Sequence, residues 1–531
     1  MCGISGLLSV SPWSNLESVT QNLQSALTHR GPDDQGVYIN GDRQVTLIHT
    51  RLSILDLTSA GHQPMTIDGD RYWITFNGEI YNFLDLRSKL EAQGEKFNSH
   101  TDTEVILRLY HRKGKDCVHD LQGMFAFAIW DDHQKTCFFA RDPLGIKPLF
   151  YSQVGSQLIF ASELKAILAS KLISPQLNPT ALYEYFSTGS VPEPLTLIRG
   201  IHQLSPGHYL EWYNGEISQS QYWQIDFTPD NTIDELATRR IVREALIQSV
   251  QSHFLSDVPV GIFLSGGIDS TVILALARQT QNNDLSTYSI AFEESQFDEG
   301  SVARRTAQYF KTDHHEEIVT AASAKRLFSR YLKSLDQPSV DGFNTFFVSK
   351  LAAQNNKKVV LSGLGGDELF AGYGSFKTIP KMMQYHSQLK SLKPLLKMSA
   401  LGLGRLTQNP KLKRLGDFFA VNATTANAYQ TMRGIFSRGE AEKLVRLYCP
   451  ILNAMEYLNY STISPRNKFP SMADEISYLE ITRYMRNQLL RDSDVMSMRF
   501  GLELRVPFVD KLFLEAISKI PSQYRLSLIH I

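Results

Sequence analysis

A cysteine stands at position 2 in Met1-Cys2-Gly3-Ile4-Ser5-Gly6. Removal of a Met before so small a residue would leave Cys2 with a thiol and a free α-amine on one residue. An α-amine titrates at about 7.7–8.0, so it can act as a general base for its own thiol near neutral pH. This is the N-terminal nucleophile arrangement. Alone it says little, since chance often puts a small residue at position 2.

Two further segments carry chemistry. Ser265-Gly266-Gly267-Ile268-Asp269-Ser270 lies between an apolar run at 258–264 and a helical pattern at 271–279. Its glycines allow a tight turn and close approach of a ligand, and the helix that follows presents unpaired N–H groups and the positive end of its dipole. Ser265 and Ser270 can add hydroxyl donors. The lysine of a Walker A loop is absent, and Asp269 suits Mg²⁺, a hard cation that prefers oxygen ligands. The second segment, Ser362-Gly363-Leu364-Gly365-Gly366-Asp367-Glu368, again follows an apolar piece and again sets a carboxylate after glycines. An ordinary Gly-rich bend would explain either loop singly. Together they could hold one nucleotide and its metal beyond the carboxyl ends of parallel strands.

The elements that must position these groups differ between the two halves. Residues 1–200 read as short strands, such as 45–48, 72–76 and 125–130, separated by Gly, Asn and Asp turns. A helix is predicted at 103–112. This implies an α+β domain of layered antiparallel sheets with a few helices. Residues 219–234 read as a linker. After it come a long amphipathic helix at 233–255, strands at 258–264, 285–292 and 358–361, and helices between them: an α/β domain with a parallel sheet. From about Pro380 the pattern is mostly helical, with Lys-rich faces.

At 531 residues the chain exceeds one ordinary core, so two domains or more are expected. The 43% hydrophobic and 20% charged content is that of a globular protein. Lys+Arg and Asp+Glu are both 54, so no overall basic excess points to nucleic acid or an anionic membrane. Four cysteines, Cys2, Cys117, Cys137 and Cys449, form neither a disulfide framework nor C-x-x-C pairs, which suggests a reducing cytoplasm. No run of 18 apolar residues is present, so no membrane span is predicted.

The loop at 265–270 resembles the pyrophosphate loop of the ATP pyrophosphatase superfamily. With 362–373 and with Arg491-Asp492-Ser493-Asp494-Val495-Met496-Ser497-Met498 and Leu504-Arg505-Val506-Pro507-Phe508, it resembles the synthetase half of the glutamine-hydrolysing asparagine synthetase family. His29-Arg30-Gly31-Pro32-Asp33, Arg51-Leu52-Ser53-Ile54, Asn77-Gly78-Glu79-Ile80-Tyr81-Asn82 and Thr101-Asp102-Thr103-Glu104 resemble a class II glutamine amidotransferase domain. The resemblance implies an amidotransferase domain over 2–214 and an ATP-pyrophosphatase-like domain with a helical C-terminal part over 235–531. Cys2 would attack glutamine, with Asn77 and Gly78 as oxyanion donors. Arg51 would take the α-carboxylate, Glu79 and Asp102 the α-ammonium, and Asn77 would also contact glutamine. Phe263, Ser265, Gly266, Gly267, Asp269, Ser270, Ile290, Phe292, Ser362 and Gly363 would contact ATP, and Asp269 and Asp367 would hold Mg²⁺-pyrophosphate. The implied reaction amidates aspartate through an acyl-adenylate, releasing AMP and PPi, with ammonia passing along an internal path. Homodimers are common in the family.

Two positions depart from that pattern. Well-known members have Glu where this chain has Leu364, and many have Lys or Arg where it has Val495. Arg491, one helical turn earlier, is expected to substitute for the missing cation. The departures leave open another acceptor, such as a sugar acid or a peptide side chain. His314-His315-Glu316 reads as a solvated loop, and Glu503 with Arg505 as a structural ion pair. Ser527-Leu528-Ile529-His530-Ile531 lacks a closing element where family members usually continue, so either a truncated gene model or a non-native tail is expected at this end.

Overall fold

The computed structural model describes residues 2–281, 284–293, 300–389, 392–450 and 468–526. Met1 and the apolar end at 527–531 lie outside the described residues.

The N-terminal half stacks two six-stranded antiparallel sheets. One runs in the order His202–Gln203, Phe150–Val154, Gln157–Ala161, Gly3–Leu8, Val45–Arg51, Asp34–Ile39. The other runs Glu216–Gln221, His208–Tyr213, Thr136–Arg141, Gly123–Asp131, Tyr72–Ile80, Met65–Ile67. Period-2 alternation builds the layers. On Gly123–Asp131, Ala126, Ala128 and Trp130 pack between the sheets with Ile4, Leu8, Val45 and Leu47. Phe125, Phe127 and Ile129 point the other way, against the helices Phe83–Ala92 and Asp102–Lys113. Helices Leu16–Leu27 and Leu164–Ala169 cover the outer face of the first sheet through Leu16, Val19, Leu23 and Leu164. The result is four layers, helix, sheet, sheet, helix.

The second half carries a five-stranded sheet, with all neighbours parallel, in the order Asp313–Val319, Ser286–Phe292, Val260–Phe263, Val359–Leu361, Glu503–Arg505. Helices Glu235–His253, Ile268–Thr280 and Phe343–Gln354 pack on it. The last strand, Glu503–Arg505, is expected from the sequence as an ion pair and part of a family motif but not as a strand. Strand order reverses between Val260–Phe263 and Val359–Leu361, which makes the space beyond their carboxyl ends a topological switch point. The stretch His314-His315-Glu316 is part of the edge strand Asp313–Val319, not a solvated loop. Ladder pairing with Ser286–Phe292 outweighs its polarity. The His314 ring meets the Thr287 hydroxyl at 2.9 Å, and His315 stacks on Tyr288 with centroids 5.2 Å apart.

Candidate active sites

Cys2 is buried at the start of the Gly3–Leu8 strand. Its N–H donates to Asn77 Oδ1 at 3.0 Å, and its carbonyl accepts from Arg30 Nε at 3.2 Å. With Oδ1 so occupied, the Asn77 Nδ2 donor is buried and lacks a hydrogen-bond partner among the described residues. A buried, unpaired donor costs free energy, and beside a thiol it suits a developing oxyanion. Gly78 has no room for a side chain, since a Cβ there would lie 2.2 Å from the Met124 carbonyl oxygen. Burial pushes the Cys2 thiol up, opposed by the Leu52 backbone and the Arg51 charge. A thiol in that state needs a base at hand.

Glu79 follows in the same strand. Its Oε2 accepts from Arg505 Nη2 at 2.8 Å, while Oε1 is buried without a partner among the described residues. Burial holds this carboxyl well above the usual range, with Arg505 opposing and Asp102 adding to the rise. Asp102 opens the Asp102–Lys113 helix, capped by Thr101, and accepts from the Ile80 N–H at 2.9 Å. Burial pushes it up to about 6. Glu79 Oε1 is thus an open acceptor in the strand that also carries Asn77, which is what an ammonium group needs.

Arg51 is placed differently from expectation. Its guanidinium donates to the carbonyls of Leu55, Asp56 and Thr58 at 3.2, 2.5 and 3.0 Å. A ligand carboxylate would have to take over some of these donors.

At the switch point lies a cavity of about 860 Å³. Phe263, Ser265, Gly267, Asp269, Ser270, Ile290, Phe292, Ser362, Gly363 and Asp367 all line it, and Gly266 belongs to the same turn. The volume suits a nucleotide. The Ser265 and Ser270 hydroxyls lie 3.0 Å apart, and Ser265 Oγ accepts from the Gly267 N–H at 3.1 Å. They close the turn rather than stand free as donors. The Ile268–Thr280 helix starts at Gly267 without a side-chain cap, leaving N–H groups for phosphate oxygens.

The two glycine loops touch. A Cβ at Gly363 would meet the Ser270 nitrogen at 2.7 Å, and one at Gly366 would meet Asp269 Oδ2 at 2.3 Å. Gly365, at φ +111°, turns the second loop through a conformation that other residues avoid. Burial and the Asp367 charge push Asp269 up to about 7, and burial raises Asp367 too. Facing carboxylates that repel each other are a donor set that fits a hard divalent cation.

Arg491 does not replace the missing cation. It donates to the carbonyls of Val191 and Pro338 at 3.0 and 3.5 Å, away from the cavity wall. An (i, i+4) spacing sets a helix face, but these carbonyls decide where the side chain goes. Val495 packs in an apolar cluster with Phe346, Phe347 and Met496, whereas Leu364 lines the cavity. The cation beside Asp367 is Arg433. It ends the Thr425–Arg433 helix, stacks on Tyr373 and Tyr484 at 4.3 and 3.9 Å, and pairs with Glu480 at 2.8 Å. Nothing in its local sequence marks it. Tyr288, Asn344, Thr345 and Leu489 also line the cavity unforeseen. Glu503 and Arg505 do pair, at 2.5 Å.

Residues 1–223 match the family model of a glutamine amidotransferase domain, and residues 241–529 that of asparagine synthase. The chain is 33% identical to asparagine synthetase [glutamine-hydrolyzing] 1 of Bacillus subtilis, over 99% of this chain and 82% of that one. It is 38% identical to the putative asparagine synthetase [glutamine-hydrolyzing] 2 of Methanocaldococcus jannaschii, over 70% of this chain and 76% of that one. With amidase chry2 of Gibberella zeae it shares 27% identity, over 99% of this chain and 83% of that one.

Proposed function

The chain belongs to the glutamine-hydrolysing asparagine synthetase family, and from that premise we propose that it converts aspartate to asparagine with ATP and with ammonia taken from glutamine. The observation that carries the first half-reaction is the Cys2–Asn77 contact, with Nδ2 left free. With Met1 removed, the Cys2 nitrogen is the α-amine. It takes the thiol proton as sulfur attacks the glutamine side-chain carbonyl. Asn77 Nδ2 and the Gly78 N–H receive the oxyanion. The C–N bond breaks, the amine returns its proton to the departing ammonia, and water cleaves the thioester to glutamate. Glu79 and Asp102 hold the substrate ammonium, and Arg51 its carboxylate.

In the cavity, a side-chain carboxylate oxygen of aspartate attacks the α-phosphorus of ATP and PPi departs. Ammonia then adds to the acyl-adenylate carbonyl and AMP leaves. The N–H groups at the start of Ile268–Thr280 and the loops at Ser265 and Ser362 orient the phosphates. Asp269 and Asp367 would hold Mg²⁺, which supplies charge neutralisation for the leaving pyrophosphate. The two domains divide between the strand Glu216–Gln221 and the helix Glu235–His253. We place the reaction in the cytoplasm, with a homodimer as the expected assembly. Among the described residues no helix is long and apolar enough to cross a membrane.

The test is AMP and PPi release with glutamine present, across a panel of carboxylic acids. Release dependent on aspartate supports this reading. A second reading, amidation of another carboxylate, is favoured by Leu364 on the cavity wall and by the apolar setting of Val495. Release with a different acid but not with aspartate would establish it.

A further inference from the structure

Arg505 belongs to the second half of the chain, yet its fully buried side chain ends on Glu79 in the first. Nη2 donates to Glu79 Oε2 at 2.8 Å, Nε to Glu503 at 2.5 Å, and Nη1 to the carbonyls of His253 and Leu255 at 2.8 and 2.7 Å. Its main chain faces the other site. The Arg505 carbonyl accepts from the Ser362 N–H at 2.9 Å, so it fixes the first residue of the second nucleotide loop. One residue of the Glu503–Arg505 strand therefore touches a wall of each site.

We propose that Arg505 is a positioning residue of the glutamine site, which aims Glu79 Oε1 at the substrate ammonium and ties that carboxylate to the nucleotide loop. The proposal rests on the reading of Glu79 given above. Arg505 occupies Oε2 and leaves Oε1 as the one free acceptor. The charged groups around Glu79 are Arg505, Asp102, Glu503 and the amino end of the chain. Burial and the two carboxylates favour a neutral Glu79, and Arg505, with the amino end adding less, opposes them. Without the guanidinium, Glu79 stays protonated to higher pH and cannot pair with an ammonium. The sign is fixed: the KM for glutamine rises at neutral pH and recovers as pH is raised.

The experiment measures glutaminase kinetics from pH 6 to 9 on the full chain with Arg505→Met, Arg505→Lys and Glu79→Gln. Arg505→Met should raise the KM for glutamine about tenfold or more at pH 7, the scale of one charge-assisted hydrogen bond. Its KM–pH profile should move to the alkaline side, while kcat changes much less. Arg505→Lys should restore part of the loss. If Arg505→Met does not fold, Arg505→Gln, which keeps an N–H donor beside Glu79 but not the charge, reads the same profile. A wild-type KM–pH profile in a folded Arg505→Met or Arg505→Gln variant, with Glu79→Gln raising KM, overturns the proposal. An unchanged KM in Glu79→Gln overturns instead the assignment of Glu79 on which it rests.

Discussion

Arg30 and Asp494, 464 positions apart, form a buried two-pronged ion pair at 2.8 and 3.2 Å. Arg30 Nε also donates to the Cys2 carbonyl. The Arg491–Met498 helix of the second half thus buttresses the Cys2 main chain of the first. Removing one partner of an isolated buried pair costs about 3–5 kcal/mol, which is an upper bound here because Arg30 keeps Glu163 at 3.1 Å. Asp494→Ala is expected to lower the melting temperature and to cut glutaminase turnover by loosening Cys2. Thermal unfolding and glutamate release check this, and a wild-type melting temperature would remove the buttress from the account.

Cys2→Ala should abolish glutamine-dependent synthesis and spare synthesis from added ammonium, because only the thioester step needs sulfur. Asparagine formation with each nitrogen source is the measurement. Equal loss of both would mean that the two reactions do not occupy separate sites.

Asn77→Ala removes the free Nδ2 donor together with the acceptor that holds the Cys2 nitrogen. Loss of one oxyanion donor lowers kcat by about 10²–10³, so glutaminase kcat should fall at least that far, with the KM for glutamine changed much less. A variant with kcat near wild type would show that the oxyanion is stabilised elsewhere.

Asp269 has an ordinary value of 3.8 and is pushed up to about 7 in the fold, by burial and by Asp367. A carboxyl whose folded value is raised binds its proton more tightly in the folded state. Stability is therefore highest at low pH and declines as pH climbs from about 4 to about 7, by at most about 1.4 kcal/mol per unit. Asp269→Asn lacks this penalty. Without nucleotide, the variant should melt above wild type at pH 8 and converge with it toward pH 4, while losing ATP-dependent turnover. Melting curves that differ by the same amount at pH 5 and pH 8 would contradict it.

Short-range features were legible in the residues themselves. β-rich pieces between turn residues placed some strands of the N-terminal sheets, those at 45–48, 72–76 and 125–130 among them, because strand formers and turn formers differ in residue type. The glycines of both loops, with Asp269 and Asp367 behind them, marked the cavity, because a turn that must approach a ligand admits few residue types. Asn77, Gly78, Glu79 and Asp102 were legible as a set through the resemblance to the amidotransferase family, since they lie in a strand and at a helix start rather than in a turn.

Tertiary structure alone decided the rest. The partner of a buried charge is chosen by which elements pack together, and no spacing records that choice. Arg491 shares a helix with Val495 yet reaches the carbonyls of Val191 and Pro338, while Arg433, from a separate helix, supplies the charge beside Asp367. Arg505, read from its neighbours as one half of a local pair with Glu503, proves to be the group that joins Glu79 to Ser362. The sequence determined which chemical groups this protein owns. Packing across its two halves, where desolvation makes every buried charge find a partner, determined which of them work together.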